Sequence, residues 1–141
     1  MPSKNFSFSK SERLCSKKLI EELFSNKGVH RIVEHPFMLL WKEAQIESIY
    51  PVQVLIIVSK KLFPKATDRN RIRRQIRELY RLNKHSFYEA LEKHQKKAAM
   101  LVMYKDIKKP ASPADKQETS VLKTQYNKLI EKLIKNIEQT I

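Results

Sequence analysis

One stretch, Arg69-Asn70-Arg71-Ile72-Arg73-Arg74-Gln75-Ile76-Arg77-Glu78-Leu79-Tyr80-Arg81, constrains this chain more than any other. Ile72, Ile76 and Leu79 recur at i, i+4 and i+7, the spacing of a helix that buries one face. Asn70, Arg73, Arg74, Arg77 and Arg81 fall on the opposite side. Thr67 or Asp68 is placed to cap the helix start, and Asp68 in the first turn suits the positive end of the helix dipole. A face built for solubility would mix signs and set acids four residues before bases. This one has a single acid, Glu78, and uses arginine, whose planar fork binds phosphate bidentately. Repulsion among the arginines costs stability unless a polyanion lies across them. The helix therefore reads as a nucleic-acid contact surface.

The rest of the chain agrees in charge. Twenty-nine Lys plus Arg stand against fifteen Asp plus Glu, a net charge of +14 on 141 residues. Such a balance predicts counter-ion release on binding a polyphosphate and a strongly salt-dependent affinity. The length fits one domain, residues 1–141, with 41 % hydrophobic residues for a core. No apolar run approaches the ~20 residues of a membrane span, and residues 1–18 hold no apolar signal-peptide core. A cytoplasmic protein is expected, with neither a membrane nor a small-molecule substrate as partner.

Several chemistries are removed by counting. Cys15 is the only cysteine, so an internal disulfide and a cysteine-rich zinc site are excluded. His30, His35, His85 and His94 show no metal-ligand spacing. Gly28 is the sole glycine, so no glycine-rich phosphate-cradling loop exists. No cofactor or metal bound by the protein itself is expected.

Along the chain, residues 1–15 are polar and basic and read as a flexible arm, with Phe6 and Phe8 as anchors. Ser16 caps a short helix to about Lys27, ended by Gly28. From Val29 the period becomes two. Residues 30–34 and 36–43 read as strands, and residues 52–59, apolar on both sides, read as the central strand of a sheet. Phe37, Leu39 and Trp41 share one strand face, as do Val52, Val54, Ile56 and Val58; these suit a core under helices. Met38 and Leu40, with Leu55 and Ile57, form the other face, polar at its ends, which fits a partly open groove and a second packed face equally well. The arginine helix is expected to end near Asn83, and Ser86 to cap a further short helix. Residues 98–104 read as a buried strand, residues 108–113 as a linker, and Asp115 to about Gln139 as a final core helix.

The pairing of Val58-Ser59-Lys60-Lys61 with Arg69-Asn70-Arg71-Ile72-Arg73-Arg74-Gln75-Ile76-Arg77-Glu78 resembles the protein subunit of bacterial ribonuclease P, in which a V-S-K-K strand end precedes an R-N-R-I-K-R-x-I-R-E helix. The likeness covers roughly residues 13 to 135. It implies an α/β (α+β) two-layer sandwich of order α-β-β-β-α-(short α)-β-α. The mixed four-stranded sheet would contain a left-handed crossover, against the general rule. It also implies the partners, a catalytic RNA subunit and the 5′ leader of precursor tRNA, with hydrolysis performed by the RNA and its magnesium ions.

Carried over by position, Lys60, Lys61, Arg69, Asn70, Arg71, Arg74 and Arg77 coincide with the motif. Arg73 stands where lysine is frequent, and Arg81 extends the same face. Ile20, Phe24, Leu40 and Ile57 would line the leader cleft. Ile20 and Leu40 replace common aromatics, so stacking should be weaker, and Leu55 and Ile57 narrow the groove. Residues 83–97 are longer than the usual connection. A ribosomal or other structural RNA-binding protein is the alternative reading. A self-sufficient nuclease would need paired carboxylates or a histidine pair, whereas Asp68, Asp106 and Asp115 are scattered singly.

Overall fold

The computed structural model describes residues 8–25, 27–106 and 116–140, with side chains of the last helix described from Val121 onward. In chain order the elements are a 3-10 turn (Lys10–Glu12), α1 (Lys17–Phe24), β1 (His30–Glu34), β2 (Phe37–Glu43), β3 (Val52–Val58), α2 (Ala66–Lys93), β4 (Ala98–Tyr104) and α3 (Lys116–Thr140). Ser16 accepts the Leu19 N–H at 3.3 Å and starts α1. That helix stops at Phe24, before the expected Lys27, where the Ser25 hydroxyl bonds the Glu22 carbonyl at 2.6 Å. Gly28 follows in the left-handed region at φ 66°, a conformation that glycine adopts without a Cβ penalty.

The four strands form one mixed sheet in the order β1-β2-β4-β3. β1 and β4 flank β2 antiparallel, and β3 runs parallel to β4. The strand expected at the centre is thus at an edge. Its apolar character has another cause: residues 8–14 cover the open side, where Arg13 bridges Val54 and the Leu14 N–H meets the Val54 carbonyl at 2.9 Å. Those residues are not a loose arm. Glu12 is 0 % and Leu14 2 % exposed. Residues 1–7, with Phe6, lie outside the described part.

Strand parity sorts the core into two layers. Phe37, Leu39, Trp41, Val52, Val54, Val58, Met100 and Val102 face α2 and α3 and pack with Ile72, Ile76, Tyr126, Leu129 and Leu133. The Trp41 Nε1–H donates to Asn136 Oδ1 at 2.9 Å and ties α3 to β2. On the other sheet face Met38, Leu40, Ala99, Leu101 and Met103 pack with Leu14 and with Leu23 of α1. The main sandwich is therefore the sheet with α2 and α3, and α1 adds a partial layer behind it.

Two further expectations change at α2. Its N-cap is Lys65, without a side-chain cap bond, so neither Thr67 nor Asp68 takes that place; Asp68 does sit in the first turn. The helix also does not end near Asn83. It continues unbroken for 28 residues. Asn83 donates to the Leu79 carbonyl at 2.8 Å, and the Ser86 hydroxyl to the Asn83 carbonyl at 2.9 Å. Both polar side chains thus bond back along the helix instead of capping a new one. Phe87, Tyr88 and Leu91 extend the buried face, and this packing outweighs the local stop signals. The 108–113 linker and Asp115 lie outside the described residues. No described helix is long and apolar enough to cross a membrane.

Candidate RNA interface

The cationic surface begins where β3 ends. Ser59 Oγ accepts the N–H groups of Lys61 and Leu62 at 3.1 and 3.3 Å, and the Phe63 N–H returns to the Ser59 carbonyl at 2.9 Å. This tight turn projects Lys60 and Lys61, both exposed, beside the start of α2.

Along α2 the arginines divide by what they touch. Arg69 is half-buried, and its Nη1 donates to the carbonyls of Phe63 and Pro64 at 2.9 and 2.8 Å, bracing the loop that enters the helix. Arg73 donates to Asn70 Oδ1 at 2.7 Å, which fixes both. Arg74 is exposed, and Arg71 is half-buried near Tyr104, whose hydroxyl is pushed up to about 12 by burial and by the Asp106 charge. Arg81 forks onto Glu78, with Nε at 3.0 Å from one carboxylate oxygen and Nη2 on the other. That hydrogen bond holds the Glu78 carboxyl below its ordinary range. The one acid of the stretch therefore serves Arg81. The structure places Lys60 and Lys61 in the turn before α2 and Asn70, Arg71, Arg73, Arg74, Arg77 and Arg81 on the helix that follows, with Arg69 bracing its entry.

A cleft of about 440 Å³ runs between the free edge of β3 and this helix, with Phe8, Arg13, Ile57, Arg73 and Arg77 among its walls. Two guanidiniums lie over the Phe8 ring, with the Arg13 carbon 5.5 Å and the Arg77 carbon 5.9 Å from its centroid. It meets Tyr80 edge-on at 5.4 Å. Behind it, Glu12 takes Lys84 Nζ at 2.9 and 2.8 Å and the Tyr88 hydroxyl at 2.7 Å. Burial drives the Tyr80 and Tyr88 hydroxyls far above the ordinary tyrosine range. Sequence reasoning missed Arg13, Glu12 and Lys84. Lys84 had a signal, since it prolongs the polar stripe of α2; Glu12, in a basic segment, had none.

The four residues assigned to the leader cleft do not share one environment. Phe24 is 51 % exposed on α1, and Ile20 is half-buried. Leu40, at 4 %, belongs to the packed layer beneath them. Ile57, level with Met103, sits at the β3 edge and also borders the cleft beside α2. Among the described residues no group of three His, Cys, Asp or Glu comes together to hold a metal ion. Asp106 pairs with His35 at 3.2 Å, remote in sequence from Asp68.

Comparison with known proteins gives one answer. The model of the ribonuclease P family matches residues 8–134. The ribonuclease P protein component of Porphyromonas gingivalis is 34 % identical over 98 residues, 70 % of either chain. That of Idiomarina loihiensis is 37 % identical over 82 residues, 58 % of this chain and 62 % of its own. Among solved structures, the RNase P protein of Staphylococcus aureus superposes with a TM-score of 0.60 at 19 % identity, over 86 % of this chain and 94 % of its own. The Thermotoga maritima protein gives 0.54 at 19 %, over 89 % and 96 %. The folds agree, and with sequence matches of this extent the chain belongs to the ribonuclease P protein family.

Proposed function

We propose that this protein component of ribonuclease P holds the catalytic RNA through the first half of α2 and the Lys60–Lys61 turn. The 5′ leader of precursor tRNA lies along the sheet face beside α1, near Ile20, Phe24, Leu40 and Ile57. The RNA and its magnesium ions hydrolyse the phosphodiester, and the protein contributes no reacting group. The observation that carries this is a helix face of arginines whose single acid is already engaged by Arg81, on a chain of net charge +14. The family match removes the reason for preferring a ribosomal protein.

The physical role is electrostatic. Two polyanions folded against each other need cations, and a basic protein between them supplies part of that screening. Mixed with the matching catalytic RNA, the protein should stimulate precursor-tRNA cleavage most at low magnesium and progressively less as magnesium rises. Without RNA it should cleave nothing. Site-specific cleavage by RNA-free protein, lost on mutating Asp68, Asp106 or Asp115, would defeat this reading. Such a protein is expected to act in the cytoplasm, where its RNA partners are made.

A further inference from the structure

Glu12 and Lys84 are the buried charged side chains among the described residues, each 0 % exposed. Lys84 Nζ lies 2.9 and 2.8 Å from the two carboxylate oxygens. Tyr88 donates its hydroxyl to one oxygen at 2.7 Å, and Ser9 donates its N–H and hydroxyl to the other at 3.2 Å. Lys84 also lies over the Tyr50 and Tyr88 rings. Desolvating such a pair is expensive, and apolar residues of similar volume would hold the segment as firmly. What the ionic pair adds is a fixed geometry for its neighbours.

The neighbour that matters is Arg13. It bridges Val54 at the edge of β3, and its guanidinium, like that of Arg77, lies over the Phe8 ring. Past Val54 that edge has no strand partner among the described residues. There lies the cleft of about 440 Å³, whose charged walls are Arg13, Arg73 and Arg77, with no carboxylate among them. Arg77 Nε is buried and has no hydrogen-bond partner among the described residues. Such a volume admits a drug-sized group, hence a nucleotide or so of unpaired strand and not a double helix. Phe8 is already covered by guanidiniums, so the grip is on phosphate and not on a stacked base.

We propose that this cleft binds the backbone phosphates of single-stranded RNA, and that the Glu12–Lys84 pair is a positioning device that holds Arg13 in its wall. The proposal rests on reading α2 as an RNA-binding surface. It gives the second half of α2 a role in RNA binding without contact, because Lys84 acts through Glu12 and Arg13.

The test uses the full chain and the matching catalytic RNA. Arg13→Ala should leave the melting temperature unchanged, weaken binding roughly tenfold and lower the slope of log affinity against log salt by about one. Glu12→Gln should lose the same affinity, and adding Arg13→Ala to it should lose no more, whereas a merely structural acid would give additive losses. Glu12→Met with Lys84→Leu should keep the segment docked by packing and the melting temperature near that of the parent, yet lose the same affinity as Arg13→Ala, because the fixed geometry at Arg13 goes with the ionic pair. It stands in if Glu12→Gln does not fold, and parental binding in it would overturn the positioning role. Cys15 is exposed and lies on the cleft wall, so bound RNA should slow its alkylation by N-ethylmaleimide, and Arg13→Ala should abolish that protection at saturating RNA. Parental affinity and slope in Arg13→Ala, with Arg74→Ala still weakened, would overturn the cleft and spare the function proposed above. Parental binding in both variants would overturn both.

Discussion

The two halves of α2 carry the same polar stripe and put it to opposite uses. Arg73, Arg77, Arg81, Lys84 and Tyr88 follow one another at intervals of four, four, three and four along one helix face. In the first half that stripe meets solvent or borders the open cleft. In the second half the chain's own N-terminal segment lies across it, and Lys84 is sealed against Glu12. A charged residue on a helix is thus assigned its role by what passes over it, here by a segment 72 residues away in sequence. The basic half leaves its charges facing solvent or the cleft, where an outside polyanion could reach them; the other half has its anion built in.

Lys84→Ala should break the contrast most severely. It leaves the Glu12 carboxylate in a dry site with only Tyr88 and Ser9 for partners, which should destabilise the fold by about 3–5 kcal/mol. Melting should fall on the order of ten degrees. Arg74→Ala, on the same helix but exposed, should stay within roughly 0.5 kcal/mol of the parent. Equal melting of the two variants in a calorimetric scan would erase the distinction between the halves.

Alkaline pH tests the buried half by another route. Tyr80 and Tyr88 share a hydrogen bond at 2.8 Å, and burial raises both hydroxyls far beyond the ordinary range. Above pH about 10 an unfolded chain releases these protons while the folded one keeps them, so stability falls as pH rises. Each tyrosine contributes about 1.4 kcal/mol per pH unit in that window and nothing below it. Tyrosinate absorbance should therefore rise together with loss of helix, in one cooperative step. Ionisation of these two residues at ordinary pH in a still-helical protein would show that the second half is open to water.

The basic half contains a finer division. Arg69 braces two loop carbonyls, whereas Arg74 is exposed. Arg69→Ala should cost roughly 1–2 kcal/mol of stability, since it strands carbonyls that a charged donor satisfied. Arg74→Ala should cost catalytic-RNA affinity instead, lowering the salt slope by roughly 0.7–0.9 for the lost phosphate contact. Chemical denaturation and a salt titration on the two variants would separate the effects. Stability loss in Arg74→Ala, or a slope change without stability loss in Arg69→Ala, would reverse the assignment.

These contrasts also mark what the sequence made legible. Period-two and 3.6-residue patterns placed residues 30–34 and 98–104 as strands with the bounds the structure has, because alternation and burial are local properties. The arginine face was legible for the same reason. The continuation of α2 past Asn83 was not, since Asn83 and Ser86 are turn-prone residues whose helical state is imposed by Phe87, Tyr88 and Leu91 packing on distant elements. β3 looked central because it is apolar on both faces, and its covering at the open edge comes from residues 8–14, whose polar composition hides their burial. Glu12 shows the limit most clearly. Nothing near it in sequence foretells a partner on another element.

The smallest effect is expected at Phe24, outside both halves of α2. Its ring is 51 % exposed, so Phe24→Ala removes little packing and should barely move the melting temperature. If the leader of precursor tRNA lies against α1, the loss should fall on precursor affinity and spare mature tRNA, which has no leader. Base–aromatic stacking is worth about 1–3 kcal/mol per base, and a half-exposed ring with aliphatic Ile20 one helical turn before it belongs at the low end. The comparison with α2 sharpens this. If α2 holds the catalytic RNA as proposed, its arginines make that contact in either state, so Arg74→Ala should weaken assembly regardless of the tRNA present. Phe24→Ala should leave assembly intact and alter only the ratio of precursor to mature tRNA affinity in the assembled enzyme. Equal losses for both tRNAs, with a large drop in melting temperature, would make Phe24 a packing residue and move the leader elsewhere on the protein.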